Sequence, residues 1–254
     1  MHMADALLSP VVGGTMFAVS GGLIAYSAAK IRKDFDNARI PLMGVAGAFV
    51  FAAQMINFAI PGTGSSGHIG GAVLLAALLG PAPAFIAMAG VLLIQALFFA
   101  DGGLLAWGCN LFNMGFFGCF LAYPYVFRPI AGGSTSKTRV FAASIAACLV
   151  SLELGALAVT LETLLSGVTE LPFAAFAAAM LPIHLAIGLG EGLATAVVLL
   201  FVRRNLPDAE RLRLEEPKFS LGTLCWTFGL AALFVGGGLS LLASGRPDGL
   251  EWSM

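Results

Sequence analysis

The sequence is short of charge. Only 11% of its 254 residues are Asp, Glu, Lys or Arg, where a soluble domain carries about 25%. With 59% hydrophobic residues and a mean hydropathy of +0.93, there is too little polar surface to cover a water-soluble globule of this size. A net charge of −1 is silent on nucleic acid, but no basic patch interleaved with aromatics appears, and no nucleic-acid partner is expected. Cysteine is scarce too. Cys109, Cys119, Cys148 and Cys225 all lie in apolar stretches, and none forms a C-x-x-C pair. That argues against a disulfide framework or a cysteine zinc site. No G-x-x-x-x-G-K-[ST] phosphate loop is present, so no ATPase site is expected, and H-E-x-x-H is absent. The first residues lack the basic region of a cleavable signal peptide. Histidine is scarce as well, with His2, His68 and His184 alone.

What is plentiful is long apolar runs and glycine, 32 residues of it, which suits close packing of membrane helices. The runs give eight candidate spans: 10–29, 40–59, 68–80, 82–100, 104–127, 139–165, 174–202 and 220–243. The third is short for a crossing, which takes about 20 residues, and reads as a half-helix or a tilted segment. With the N-terminus outside, 12 of the 13 Lys and Arg fall in cytoplasmic segments or helix ends, Arg246 being the exception. The positive-inside rule therefore predicts eight spans with both termini outside. The expectation is an all-α, polytopic membrane bundle. The charged stretch "RRNLPDAERLRLEEPK" divides it. Residues 1–203 form a core domain, 204–218 a cytoplasmic linker, and 219–254 an appended one-helix module.

This orientation puts all three histidines in the outer half. The opening "MHMADALLSP" then acquires a chemical reading. A free amine on Met1, the amide nitrogen of His2 and the His2 imidazole Nδ1 can wrap one metal ion, closing a five-membered and a six-membered chelate ring. His68, after the Gly/Ser-rich "PGTGSSG", could supply the fourth nitrogen. A square-planar nitrogen set suits Ni(II) or Cu(II); hard cations would need oxygens. Met1 must be retained and unblocked. The bland alternative is that His2 is an accident of a floppy terminus and His68 an ordinary loop residue.

Polar side chains inside apolar spans are costly and are functional candidates. Gln54, Asn57, Gln95, Asp101, Asn110 and Asn113 cluster around the second to fifth spans. Asn57, Asp101 and Asn110 could bond the second ring nitrogen of His2 or His68 and fix its orientation; ordinary interhelix hydrogen bonding is the competing role. Asp5 could pair with Asn or backbone N–H groups if the tail inserts. In "HLAIGLGEG", His184 and Glu191 are seven apart on one helix face and form a candidate proton-handling or supporting pair. Gly188 and Gly192 form a small-xxx-small step beside Glu191.

Four stretches together resemble one family: "MHMADALLSP", "FAAQMINFAIPGTGSSGHIGG", "LLGPAPAFIAMAGVLLIQALFFADGGLLAWGCNLFNMGF" and "HLAIGLGEGLATAV". In order and spacing they are similar to the CbiM/NikM family, the substrate-binding S components of cobalt and nickel energy-coupling factor transporters. The tail "RPDGLEW" resembles the PDGLE (NikN-like) module. The resemblance implies a seven-helix S component with its N-terminus threaded into the bundle. It implies Ni²⁺ or Co²⁺ held by Met1, His2 and His68, and the fused tail leans toward nickel. It also implies a transmembrane coupling (T) subunit and cytoplasmic ATPase subunits as partners, in a bacterial or archaeal plasma membrane. Met3 and "DALL" depart from the family's usual opening, leaving the ligands intact and the packing of the plug open. The alternatives are an intramembrane enzyme or an assembly subunit centred on His184 and Glu191.

Overall fold

The computed structural model describes residues 2–34, 40–63, 65–132 and 136–205. Met1, the expected span 220–243 and nearly all of the linker and tail lie outside the described residues.

The chain begins with an extended tail and a 3₁₀ turn, Asp5–Leu7. Helix α1 (Pro10–Asp34) opens on a proline, which has no N–H to leave unsatisfied there. Helix α2 (Ile40–Gln54) follows. It stops short of the expected 40–59 because the chain turns into a hairpin, β1 (Phe58–Ile60) paired antiparallel with β2 (Ser65–Gly67). The Pro/Gly-rich connection and the extended Phe-Ala-Ile run favour that local choice. Helix α3 (Ala72–Leu79) has eight residues, about 12 Å at 1.5 Å per residue, which is less than half a bilayer crossing. The expected short third span is therefore a buried half-helix. Gly80, at φ 87°, turns the chain into α4 (Pro81–Phe98).

Helix α5 runs over 107–131, with π-type turns over Phe112–Phe127. Helices α6 (Lys137–Ser166) and α7 (Phe173–Asn205) complete the described bundle. Four of the described helices, α1, α4, α6 and α7, are long and apolar enough to cross a membrane.

Helices α6 and α7 pack closely. A Cβ on Gly188 would lie 3.2 Å from Leu149 Cα, and one on Gly192 would lie 2.5 Å from Ile145 Cα. Contact of this kind drives helix association where no hydrophobic force acts between helices in lipid. The Gly188/Gly192 step thus has its partner.

The helix directions sort the charges. Every described Lys and Arg lies near the far end of α1, the end of α5, the start of α6 or the end of α7. Arg139 Nε donates to Ile130 O at 2.9 Å, tying the α5 end to the α6 start. His2, the hairpin and the Asp101–Ala106 turn sit at the opposite end.

Candidate metal site

The tail is ordered because the fold supplies its backbone with partners. Buried N–H and C=O groups must be bonded, and here they are. Met3 N–H donates to Asn110 Oδ1 at 2.9 Å, and Asn110 Nδ2 returns a bond to Met3 O at 3.2 Å. His2 O accepts from Ser65 Oγ at 2.9 Å and from Ser66 N at 3.4 Å. Met3 and Ser65 form an isolated antiparallel bridge, so the tail lies beside the hairpin as a third, very short strand. Asp5 Oδ1 accepts from Ala106 N at 2.7 Å. Met3, Leu7 and Leu8 are buried in the core.

Two glycines make room. Gly102 has φ 92° and Gly103 φ 79°, conformations glycine adopts without steric cost. A Cβ on Gly102 would stand 2.5 Å from Asn110 Nδ2 and 3.1 Å from His2 Cδ2; one on Gly103 would collide with the Asp5 carboxylate. Nothing in the sequence reading singled out this pair, although "ADGG" between two helical runs was a visible turn signal.

His2 and His68 come together. Their ring centroids are 4.6 Å apart with planes 31° apart, and both side chains are buried. Asp101 Oδ1 lies 3.3 Å from His2 Nδ1. His68 Nδ1 is 2.8 Å from Ile69 O, so that nitrogen carries the proton and donates. His68 Nε2 is then a lone-pair acceptor, and it is buried without a hydrogen-bond partner. A ring nitrogen fixed by a backbone carbonyl with the other left bare is the arrangement metal-bound histidines adopt. Burial, and after it nearby positive charge, pushes the His68 imidazole well below its usual value, which keeps the ring neutral and able to ligate.

The His68 strap is gripped from both sides. Glu191 Oε2 accepts from Gly70 N at 2.6 Å and Oε1 from Gly71 N at 2.8 Å. Gly70 O accepts from Gln54 Nε2 at 2.7 Å. Glu191 therefore reaches the loop two residues beyond His68. The pairing expected of it with His184 is not formed: His184 Nδ1 is 2.8 Å from Met180 O on its own helix. Two helical turns put both residues on one face without bringing their side chains into contact. The remaining sequence candidate, Asn57, is half-buried after α2 and bonds neither histidine.

Among the described residues, no three His, Cys, Asp or Glu side chains converge as a metal-holding group.

Comparison with known proteins agrees with this architecture. The family described as "Cobalt uptake substrate-specific transmembrane region" matches residues 2–209, and the PDGLE domain matches residues 222–254. The chain is 33% identical to the putative fused nickel transport protein NikMN of Archaeoglobus fulgidus, over 92% of this chain and 76% of that one. It is 33% identical to the fused nickel transport protein NikMN of Rhodobacter capsulatus, over 99% and 75%, and 32% identical to the cobalt transport protein CbiM of Sorangium cellulosum, over 82% and 93%. A solved structure titled as a truncated transition metal transporter superposes with a TM-score of 0.73 at 32% identity, covering 80% of this chain and 99% of that one. From the threaded tail to the PDGLE tail, this chain belongs to the CbiM family and carries a C-terminal PDGLE, NikN-like module.

Proposed function

We propose that this chain captures a divalent transition-metal ion, Ni²⁺ or Co²⁺ with a lean to Ni²⁺, from outside the cell. It would deliver the ion inward as the S component of an ATP-driven energy-coupling factor transporter. The observation that carries the reading is the bare, buried Nε2 of His68 on a ring whose centroid lies 4.6 Å from that of His2. In this reading the ligands are the Met1 amine, the His2 amide nitrogen and imidazole Nδ1, and His68 Nε2. Three of these four come from the first two residues, which is why the backbone of Met3 is held so firmly. Nδ1 of His2 faces Asp101 in this structure, so the ring would have to turn for Nδ1 to join the chelate.

The basic helix ends would face the cytoplasm, where a T subunit and ATPase subunits supply the energy. In this reading 1–203 is the binding core, 204–218 a linker and 219–254 the appended module.

The test is a titration of the purified full chain with Ni²⁺ and Co²⁺, comparing native Met1 with a version extended by a few residues before it. One ion per chain, a yellow spin-paired nickel band, and loss of both on extension would support the chelate. Equal binding by both versions would remove it.

A further inference from the structure

The two histidines belong to different parts of the chain. The bonds from Ser65 and Ser66 to His2 O hold the tail beside the hairpin that leads to His68, and a second route links the groups around the two rings. A continuous buried hydrogen-bond chain runs between their supports. Asp101, against His2, donates its backbone N–H to Gln95 O at 3.2 Å. Gln95 Nε2 donates to Gln54 Oε1 at 3.0 Å. Gln54 Nε2 donates to Gly70 O at 2.7 Å, and Gly70 N–H donates to Glu191 Oε2 at 2.6 Å. Gln54 and Gln95 are both fully buried. The chain of bonds joins the Asp101 turn, α4, α2, the His68 strap and α7.

We propose that the Gln54–Gln95 amide pair is the spacer that fixes the His2–His68 separation and thereby sets which metal the site prefers. The inference rests on the chelate reading above. Two buried amides in rotamers set by close packing leave little slack. Planar four-nitrogen coordination favours Ni²⁺ only while the fourth nitrogen is held in the plane of the other three. A site free to adjust would accommodate Co²⁺ more nearly equally. Gln54 and Gln95 act through the groups they hold, so they are positioning residues. Other buried polar pairs do not share this placement: Asn113 Nδ2 bonds Glu162 Oε2 at 2.7 Å, and that pair bonds neither histidine nor the His68 strap.

The experiment uses the full chain in detergent with native Met1, titrated separately with Ni²⁺ and Co²⁺, with absorbance read in the d–d region. Gln95→Leu removes the central bond. Gln54→Asn keeps an amide but withdraws it by one methylene, and serves if Gln95→Leu does not fold. The expected result is a 10- to 100-fold loss of Ni²⁺ affinity, as for other residues that support metal ligands, with a smaller loss for Co²⁺ and a shifted nickel band. A folded variant with both affinities and the band unchanged would overturn the proposal, leaving the pair as glue between α2 and α4. Failure of the chelate itself is distinguishable: the unmutated chain would then bind no better than its N-terminally extended form.

Discussion

Asn110 closes a two-bond ring on the backbone of Met3, donating to its carbonyl and accepting from its amide at 3.2 and 2.9 Å. One side-chain amide from the first turn of α5 thus imitates a neighbouring strand. It fixes the position of the residue next to His2. Asn110→Leu is expected to lower Ni²⁺ affinity about 10- to 100-fold while the helical content stays the same. Calorimetric titration beside circular dichroism measures both, and an unchanged affinity would show that the tail is held adequately by the hairpin alone.

Gly102→Ala attacks the same junction from the other side. The substitution meets a φ of 92° and a Cβ position 2.5 Å from Asn110 Nδ2. The strain alone is of order 1–3 kcal/mol. The expected outcome is a lower melting temperature and loss of high-affinity nickel binding, whereas Gly14→Ala, with open space around its Cβ, leaves both intact.

Glu191→Gln replaces one acceptor oxygen with an NH₂ group that must face Gly70 or Gly71 N–H. An unsatisfied buried donor costs about 1–3 kcal/mol. Thermal melts of the metal-free protein should register that loss, and Ni²⁺ affinity should fall with it because the His68 strap is loosened. Wild-type stability and affinity in this variant would mean that Gln54 holds the strap unaided.

Acid should weaken the protein and its metal binding together. His68 is held neutral by burial, below the ordinary imidazole value of 6.5, so the unfolded chain binds the extra proton. Its contribution to stability is full above about pH 6.5 and declines as the pH falls below that value. The proposed chelate adds to this, since binding displaces protons from the amine and the amide. Nickel affinity should therefore rise with pH, and titrations in buffers of different ionisation enthalpy should show proton release. A pH-independent affinity between 6 and 8 would argue against a deprotonated amide ligand.

Much of the bundle was legible in the sequence because lipid imposes long apolar runs. The limits of α4, α6 and α7 fall within two or three residues of the expected spans. The hairpin was not legible. Three-residue strands carry no periodicity, and "PGTGSSG" reads as a surface loop, yet Ser65, Ser66 and His68 are buried. His2, His68, Asp101 and Asn110 could be named because histidines and polar residues are so rare in apolar spans. The nearness of His2 to His68 and to Asp101 was anticipated; the grip of Asn110 on the Met3 backbone was not, because that contact crosses 107 residues of chain. Glu191 shows the same limit: its helix face was right, and its true partner was a pair of backbone amides.

Pairing Met3 with Asn110 has a consequence for how the molecule is made. Met3 can meet Asn110 only once 107 further residues have been made. Local helices can form during that interval, but the tail cannot settle, since contacts of high sequence separation form late and slowly. Docking of the tail on Asn110 therefore waits on α5, and a chain interrupted before α5 would leave Met3 without that partner.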